Sequence, residues 1–137
     1  MTKTKEQTAL DIVKRAYEGW DNKNTAILEE VLHKDYKATM PGGMEIVGIE
    51  GARKCLEGCP FECHSENEVY IADADGMRVM RIWDFVVTAP QKFRTRMAEL
   101  SVVKDGKVIA NEAFFDPTSF PKEVHEMTMT ACQDLNK

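Results

Sequence analysis

The sequence contains no long hydrophobic run. Hydrophobic residues make up 43% of the 137 residues, yet no run approaches the roughly 18 apolar residues that a membrane-spanning helix needs. The first stretch, "MTKTKEQTALDIVKRAY", also lacks the uninterrupted apolar segment of a secretory signal. We therefore expect a cytoplasmic protein that has no membrane partner and keeps its thiols reduced.

Positive charge is scarce as well. The chain carries 18 lysines and arginines against 23 acidic residues, a net charge of -5, and its basic residues are scattered among the acids. Nucleic-acid binding needs a clustered positive surface, so this class of partner is excluded. Repeats, low-complexity segments and linkers are missing too, and the length suits one domain over residues 1–137.

The cysteines lack the paired C-x2-C half-sites of zinc ribbons. Three of the four lie in "KCLEGCPFECH", with the spacing C-x3-C-x3-C-H. On one continuous helix Cys55, Cys59 and Cys63 would share a face and could share a metal ion. However, the intervening glycine and proline end the helix, and Cys63 and His64 then follow each other on a strand and point to opposite faces. We therefore expect no metal site, with Cys55 and Cys59 as small apolar fillers under the helix.

Periodic patterns predict helices first and strands afterwards. Apolar residues from Ala9 to Trp20 recur at helical spacing, and "TAILEEVL" predicts a second short helix with Asn24 or Thr25 as its N-cap. Two short strands, "YKATM" and "MEIVG", precede a third helix, "IEGARKCLEG". Longer strands follow in "ECHSENEVYIADADG", "MRVMRIWDFVVTAP", "KFRTRMAELSVVKDG" and "KVIANEAFFD", and "PKEVHEMTMTACQDL" predicts a weaker terminal helix. This order indicates an α+β fold with an antiparallel sheet.

Three stretches in this order resemble a known superfamily. They are "AYEGWDNKN", "MPGGMEIVGIEGARKCL" and "VVKDGKVIANEAFFD". Together they are similar to the SnoaL-like branch of the superfamily of nuclear transport factor 2 and ketosteroid isomerase. The resemblance implies a cystatin-like cone, in which a curved antiparallel sheet wraps around the N-terminal helices and leaves an internal apolar pocket. It also implies a homodimer formed through the outer face of the sheet.

The resemblance leaves the activity open, because the superfamily includes isomerases, dehydratases, epoxide hydrolases, polyketide cyclases and non-catalytic binding domains. Its steroid isomerases need a carboxylate base where this sequence has Met40, which cannot take a proton. They need a tyrosine on the first helix, where our alignment places Ala16, with Tyr17 rotated away by about 100°. Their third group is a carboxylic acid that its apolar site keeps neutral, and only Glu99 matches one of the three groups in kind. The usual steroid isomerase mechanism is therefore excluded.

Glu99 is the candidate acid or base, because a carboxylate in an apolar cavity has a raised pKa. The alternatives are a salt bridge with Arg81 or Arg96, or a solvated position on the outer sheet. Arg81 and Asp116 are the other candidate catalytic residues, although Asp116 could simply cap the turn before Pro117.

Strand alternation, anchored on Glu99, predicts the inner face of the sheet and hence the pocket wall. The predicted ligand-binding residues are Tyr17, Trp20, Met40, Met44, Trp83, Phe85, Met97, Asn111 and Phe115. Asp84 should point to the opposite face and pair with an arginine of a neighbouring strand, and we expect Arg94 and Arg96 to form a charge-balanced stripe rather than an anion clamp.

Two main functions remain open. The first is a cofactor-independent isomerase, cyclase, dehydratase or hydrolase that acts on a small apolar organic molecule through acid–base chemistry at Glu99. The second is a non-catalytic domain that binds a hydrophobic ligand or serves as a dimeric scaffold. Met40 in place of a carboxylate favours the second, and the frequency of enzymes among pocketed members of the fold favours the first by a small margin.

Overall fold

The computed structural model describes residues 2–124 and 126, so most of the predicted terminal helix lies outside the described residues. Helix α1 spans Lys5–Asp21, α2 spans Thr25–Val31 and α3 spans Gly48–Glu57. Helix α1 begins with a capping box, in which the Thr4 side chain accepts from Gln7 N at 3.1 Å and the Gln7 side chain accepts from Thr4 N at 3.0 Å. Asn24 caps α2, as one of the two predicted alternatives, and α3 ends at Gly58 as expected.

Six strands form one curved sheet. They are β1 Leu32–Met40, β2 Met44–Val47, β3 Glu62–Ala72, β4 Arg78–Ala89, β5 Phe93–Lys104 and β6 Lys107–Phe114, in the spatial order β2-β1-β6-β5-β4-β3. A short 3-10 turn, Pro117–Ser119, follows. The predicted α+β cone is confirmed, with one difference. The sheet is mixed rather than wholly antiparallel, because β6 returns to lie beside β1 in the same direction.

The helices cover the concave, inner face of the sheet. The buried residues of α1 and α2 pack against inner-face residues of the sheet, including Tyr36, Ala38, Val79 and Val108. Helices α1 and α2 approach closely at Gly19, where an added Cβ would lie 3.0 Å from both Ile27 Cγ2 and Leu28 Cδ2. None of the helices in the described part of the chain is long and apolar enough to cross a membrane.

The outer face of the sheet carries a charged cluster, as the sequence predicted. Asp84 lies 2.9 Å from both Arg94 and Arg96, and Arg94 lies 3.1 Å from Glu66. Hydrogen bonds from Asn67, Arg94 and Arg96 hold the pKa of Asp84 well below its usual range. The two arginines therefore neutralise Asp84 and Glu66 instead of forming an anion clamp.

The same outer face also exposes apolar side chains. Val69, Ile71 and Phe114 are 44%, 59% and 47% exposed. The strand register places Val69 in one row with Ile82, Ala98 and Phe114, and Ile71 in the next row with Met80 and Leu100. The apolar side chains therefore form a continuous patch across β3 to β6.

Candidate functional site

A cavity of about 230 Å³ lies between the helices and the inner face of the sheet. Helix α1 supplies Tyr17, Trp20 and Asp21, and α3 with its following turn supplies Cys55, Leu56 and Cys59. The strands supply the remaining lining residues, which are Tyr36, Ala38, Met40, Ile46, Cys63, His64, Ser65, Arg81, Trp83, Phe85 and Glu99. The wall is mainly aromatic and aliphatic with a few polar groups, which is the usual composition of a small-molecule site.

The structure brings together seven of the residues that the sequence predicted for the site. Tyr17, Trp20, Met40, Arg81, Trp83, Phe85 and Glu99 all line the cavity. Strand pairing explains the arrangement, because Tyr70, Arg81, Glu99 and Ala113 stand side by side in one row of the inner face.

The other predicted residues lie elsewhere. Met44 pairs with Met40 across β1 and β2 and is absent from the cavity lining. Met97 and Phe115 pack against a second apolar cluster around Phe61 and Phe120. Asp116 caps the 3-10 turn, with its Oδ1 accepting from Thr118 N at 2.9 Å, which favours the capping alternative over a catalytic role.

Glu99 faces the cavity and accepts a short hydrogen bond from α1. The Tyr17 hydroxyl donates to Glu99 Oε1 at 2.6 Å, and Tyr17 itself is 5% exposed. Burial raises the pKa of Glu99, while the Tyr17 hydrogen bond and the charge of Arg81 oppose that rise. The pKa of Tyr17 lies well above its ordinary value because of burial and the Glu99 charge, so the phenol stays protonated and serves as a donor.

This contact shows which residue of the first helix reaches Glu99. The sequence comparison placed Ala16 at the tyrosine position and turned Tyr17 away, but Tyr17 is the residue that reaches the sheet. Both residues are buried, because the apolar face of α1 is wide enough to cover neighbouring positions. The long phenol reaches the carboxylate, and the alanine side chain does not extend that far. The cavity thus contains a hydrogen-bonded tyrosine and glutamate together with Met40.

Arg81 forms the polar side of the cavity wall. Its side chain is 1% exposed, and its Nη2 lies 3.1 Å from Asp21 Oδ2 and 2.6 Å from Glu68 Oε1. The alternative of a salt bridge between Glu99 and Arg81 or Arg96 is not formed, since Arg81 pairs with these two acids and Arg96 with Asp84. The guanidinium carbon lies 4.0 Å from the centroid of the Tyr17 ring and 4.4 Å from that of Trp83. Arg81 Nε is buried without a hydrogen-bond partner among the described residues. The cation–π contacts of the guanidinium with the two rings offset part of the cost of that burial.

A second polar group lies behind the cavity on the inner face. Tyr36 Oη donates to Asn111 Oδ1 at 2.6 Å, and Asn111 Nδ2 donates to Ser101 Oγ at 2.6 Å. Ser101 and Asn111 are direct partners across β5 and β6, and Asn111 pairs with Ala38 on β1. Asn111 thus contacts the polar network instead of lining the cavity.

The cysteines lie closer to the cavity than the sequence suggested. Cys55, Cys59 and Cys63 all line the cavity, together with His64. The strand register agrees with the prediction that Cys63 and His64 face opposite sides, because Cys63 pairs with Val87 and His64 with Val86. Cys63 packs in the apolar cluster of Val87, whereas His64 contacts Glu66 of the outer charged cluster. Burial is the main cause that raises the pKa of the Cys63 thiol. Within residues 2–124 and 126, no group of three or more histidine, cysteine or acidic side chains could hold a metal ion.

An open groove adjoins the cavity. It shares Tyr17, Asp21, His64 and Ser65 with the cavity wall and adds polar residues such as Lys14, Glu18 and Glu68. Burial raises the pKa of Asp21, and the contact with Arg81 opposes the rise. The groove therefore offers a polar approach to an apolar interior.

Among the residues that the sequence did not predict for the site, Asp21, Tyr36 and Glu68 are the ones whose contacts matter most to the polar groups. Asp21 falls four residues after Tyr17, on the same helix face, and Tyr36 alternates with Ala38 and Met40, so both could have been found from spacing. Glu68 could not, because a register shift in β3 between Glu66 and Val69 interrupts the alternation.

Comparisons with known proteins agree with this architecture. Among solved structures, a candidate polyketide cyclase of Xanthomonas campestris is 17% identical with a TM-score of 0.74, over 91% of this chain and 99% of that chain. A protein of Burkholderia xenovorans that resembles nuclear transport factor 2 is 16% identical with a TM-score of 0.76, over 90% and 97%. TerC, co-crystallised with polyporic acid, is 18% identical with a TM-score of 0.72, over 87% and 98%. At these identities the likeness shows the shared fold alone.

The sequence itself defines the family. A family model of the SnoaL-like domain matches residues 13–111, which is more than half of the chain. The chain therefore belongs to the SnoaL-like domain family. None of the curated proteins matches it significantly.

Proposed function

We propose that this protein is a cofactor-independent acid–base enzyme that acts on a small, apolar ring compound, with Glu99 transferring the proton. The observation that carries the proposal is the 2.6 Å hydrogen bond between Tyr17 and Glu99 at an aromatic cavity. A carboxyl group whose pKa is raised by burial holds a proton more readily than an ordinary glutamate, which suits a group that must accept and return one, and a protonated tyrosine holds it in place.

The size and lining of the cavity support a substrate of this kind. An apolar cavity of about 150 Å³ holds benzene, and drug-sized ligands occupy about 300–1,000 Å³. The cavity of about 230 Å³ therefore suits one or two rings. Trp20, Trp83 and Phe85 supply flat apolar contacts, and the groove beside Asp21 leaves room for a polar substituent.

The proposed reaction is an isomerisation or ring closure. Ionised Glu99 would take a proton from a carbon next to a carbonyl group, and the resulting carboxylic acid would return that proton to another atom of the same molecule. Tyr17 would keep the carboxylate oriented, and the nearby charge of Arg81 would stabilise the negative charge that passes to the substrate. The likeness to a candidate polyketide cyclase and to TerC with polyporic acid supports this reaction class.

The test begins with native mass spectrometry of the purified protein, which shows whether a small molecule co-purifies. Turnover of that molecule, or of a panel of one-ring and two-ring ketones, is then followed by mass spectrometry of the products. Glu99→Gln should lower the rate at least about 100-fold, since general acid–base catalysis contributes about 10²–10⁴-fold. Glu112→Gln, an exposed outer-face position on β6, is the matched control and should keep full activity. Equal activity of Glu99→Gln and the wild type would refute the assignment.

A non-catalytic binding domain is the second candidate, and Met40 favours it. Methionine lines the cavity at the end of β1, where the related isomerases need a carboxylate. Such a domain would raise its melting temperature with a ring compound and release that compound unchanged. Product formation that depends on Glu99 separates the two functions.

We further propose that the protein forms a homodimer through the outer face of its sheet. The apolar patch around Ile71 and Phe114 would be covered by a second copy, because the charges beside it already balance within one chain. We propose a cytoplasmic location, in which the thiols of Cys59 and Cys63 would stay reduced.

A further inference from the structure

Arg81 and Asp21 place hydrogen-bond donors and an acceptor side by side in the wall of the cavity. Asp21 comes from the end of α1 and Arg81 from β4, and Arg81 Nη2 lies 3.1 Å from Asp21 Oδ2. Asp21 also lines the adjoining groove, whereas Arg81 does not. The two side chains therefore meet where the apolar cavity opens into the polar groove.

The guanidinium of Arg81 keeps donors that its two acidic partners do not use. Asp21 and Glu68 both contact Nη2, at 3.1 Å and 2.6 Å, which leaves the N–H groups on Nε and Nη1 to other acceptors. Nε is buried without a hydrogen-bond partner among the described residues. Such a donor is unfavourable in an apolar wall, and the ring faces of Tyr17 and Trp83 offset its burial only in part. A ligand oxygen in the cavity would supply an acceptor, since Arg81 belongs to the cavity wall.

Asp21 can accept a further hydrogen bond. Its Oδ1 accepts from Ser65 Oγ at 3.4 Å, which is longer than the roughly 2.5–3.0 Å of an ordinary hydrogen bond between oxygens. The side chain of Asp21 is 35% exposed, so a ligand can reach it from the cavity or from the groove. One hydroxyl group can therefore accept from Arg81 and donate to Asp21 at the same time.

The charges around this pair disfavour an anion. One guanidinium is shared by the carboxylates of Asp21 and Glu68, so negative charge is in excess here. Burial raises the pKa of Asp21, and the charge of Glu68 raises it further against the effect of the guanidinium. Lys14, which lines the groove, lies over the ring of Tyr70 at 5.0 Å from the centroid and forms no ion pair within the described residues. A ligand carboxylate would be repelled, whereas a neutral hydroxyl group suits both the donor and the acceptor.

We propose that Arg81 and Asp21 form a subsite that binds one hydroxyl group of the ligand, so that the ligand is an uncharged ring alcohol or phenol. The hydroxyl oxygen accepts from Arg81 and its hydrogen is donated to Asp21, while the ring lies against Trp20 and Phe85. The subsite rests on the proposed function in one respect, the binding of a ring compound in the cavity. It deepens that function by naming the polar group of the ligand, and it requires no proton transfer at Glu99.

Three ligands with the same rings test the subsite, namely 2-naphthol, 2-methylnaphthalene and 2-naphthoate. Isothermal titration calorimetry at about pH 7 should show that 2-naphthol binds the wild type at least about 10-fold more tightly than 2-methylnaphthalene, the equivalent of two ordinary hydrogen bonds. The anion, 2-naphthoate, should bind most weakly of the three. In Asp21→Ala the preference for 2-naphthol should fall to about 3-fold or less, while the affinity for 2-methylnaphthalene stays the same.

Glu18→Ala is the matched control, because Glu18 also belongs to α1 and lines the groove but not the cavity. It should keep the full preference for 2-naphthol. Arg81→Lys keeps the positive charge but removes the donors on Nε and Nη1, so its preference should fall as in Asp21→Ala.

Equal affinities of the wild type for 2-naphthol and 2-methylnaphthalene would overturn the inference, and so would tightest binding of 2-naphthoate or no binding of any of the three. A full preference in folded Asp21→Ala would also overturn it, and Arg81→Lys decides if Asp21→Ala does not fold. Calorimetry follows binding alone, and Glu99 is unchanged in every variant. A hydroxyl-dependent ligand that gives no product in the turnover assay therefore refutes the proposed function and leaves the subsite in place.

Discussion

Glu99 is subject to opposing influences within a few ångströms. Its cavity position favours the neutral acid, while the Tyr17 hydroxyl and the Arg81 charge favour the carboxylate. The net effect is a raised pKa, so the folded protein binds the Glu99 proton more tightly than the unfolded chain does. The consequence for stability follows from the linkage between proton binding and folding.

We expect the contribution of Glu99 to the stability of the wild type to fall as the pH rises from the unfolded pKa of glutamate, about 4.3, through the higher folded pKa of Glu99. The stabilising contribution is fully present below the unfolded value and is lost above the folded one. The glutamine of Glu99→Gln cannot titrate. The free energy of unfolding of the variant minus that of the wild type should therefore increase as the pH rises across this window. Urea unfolding at about pH 4 and about pH 8 measures the change, and an identical pH dependence of both proteins would contradict it.

Arg81 is the residue whose loss should affect the wall of the cavity most. Arg81→Met leaves Asp21 and Glu68 without their shared partner, and breaking a buried pair costs about 3–5 kcal/mol. Because Asp21 and Glu68 are 35% and 37% exposed, solvent screens them and we expect about 3 kcal/mol or less.

Arg81→Lys is the matched variant, because it keeps the charge but loses the planar group between the rings of Tyr17 and Trp83. It should be destabilised less than Arg81→Met in urea titrations. Equal losses for both variants would show that the ring contacts, rather than the charge, carry the effect.

At the scale of the elements, Gly19 allows the close approach of α1 and α2, because it has no side chain. Gly19→Ala gains about 1 kcal/mol of helix propensity, but its Cβ would lie 3.0 Å from Ile27 and Leu28 in α2. Overpacking of this kind costs about 1–3 kcal/mol, so we expect net destabilisation by about 1 kcal/mol.

Gly51, in α3, is the matched control. Its added Cβ would make an ordinary contact, 3.4 Å from Ile46 Cγ2, so Gly51→Ala should stabilise the protein by about 0.5–1 kcal/mol. Thermal unfolding of both variants tests the pair, and stabilisation by Gly19→Ala would contradict the close approach of α1 and α2.

The elements also show what the sequence could predict. Local patterns were sufficient for the helices, for Asn24 as a cap and for the long strands, because caps and alternation are short-range signals. The parallel pairing of β1 with β6 depends on contacts between distant segments and left no local signal. The contact of Tyr17 with Glu99 was not predicted, since several neighbouring helix positions are buried and only the length of Tyr17 distinguishes it.

At the scale of the whole molecule, the exposed patch on the sheet is the feature that predicts assembly. Replacing Ile71 and Phe114 with lysine should convert a dimer into a monomer, because two charges would be buried without partners. Val47→Lys changes an equally exposed apolar residue on the edge strand β2 and should leave assembly unchanged. Sedimentation velocity measures both variants, and a monomeric wild type would refute the dimer.

Contacts between distant parts of the chain, such as the pairing of β1 with β6, also constrain the order in which the structure can form during synthesis. The bond from Tyr36 to Asn111 spans 75 residues, and the bond from Tyr17 to Glu99 spans 82. Almost the whole described chain must therefore be synthesised before either bond can form. Contacts between residues that are distant in sequence also slow folding. The helices can form early, whereas the cavity can close only when β5 and β6 arrive. Until then the apolar side chains of the cavity wall remain exposed, and chaperones or other unfolded chains can bind them.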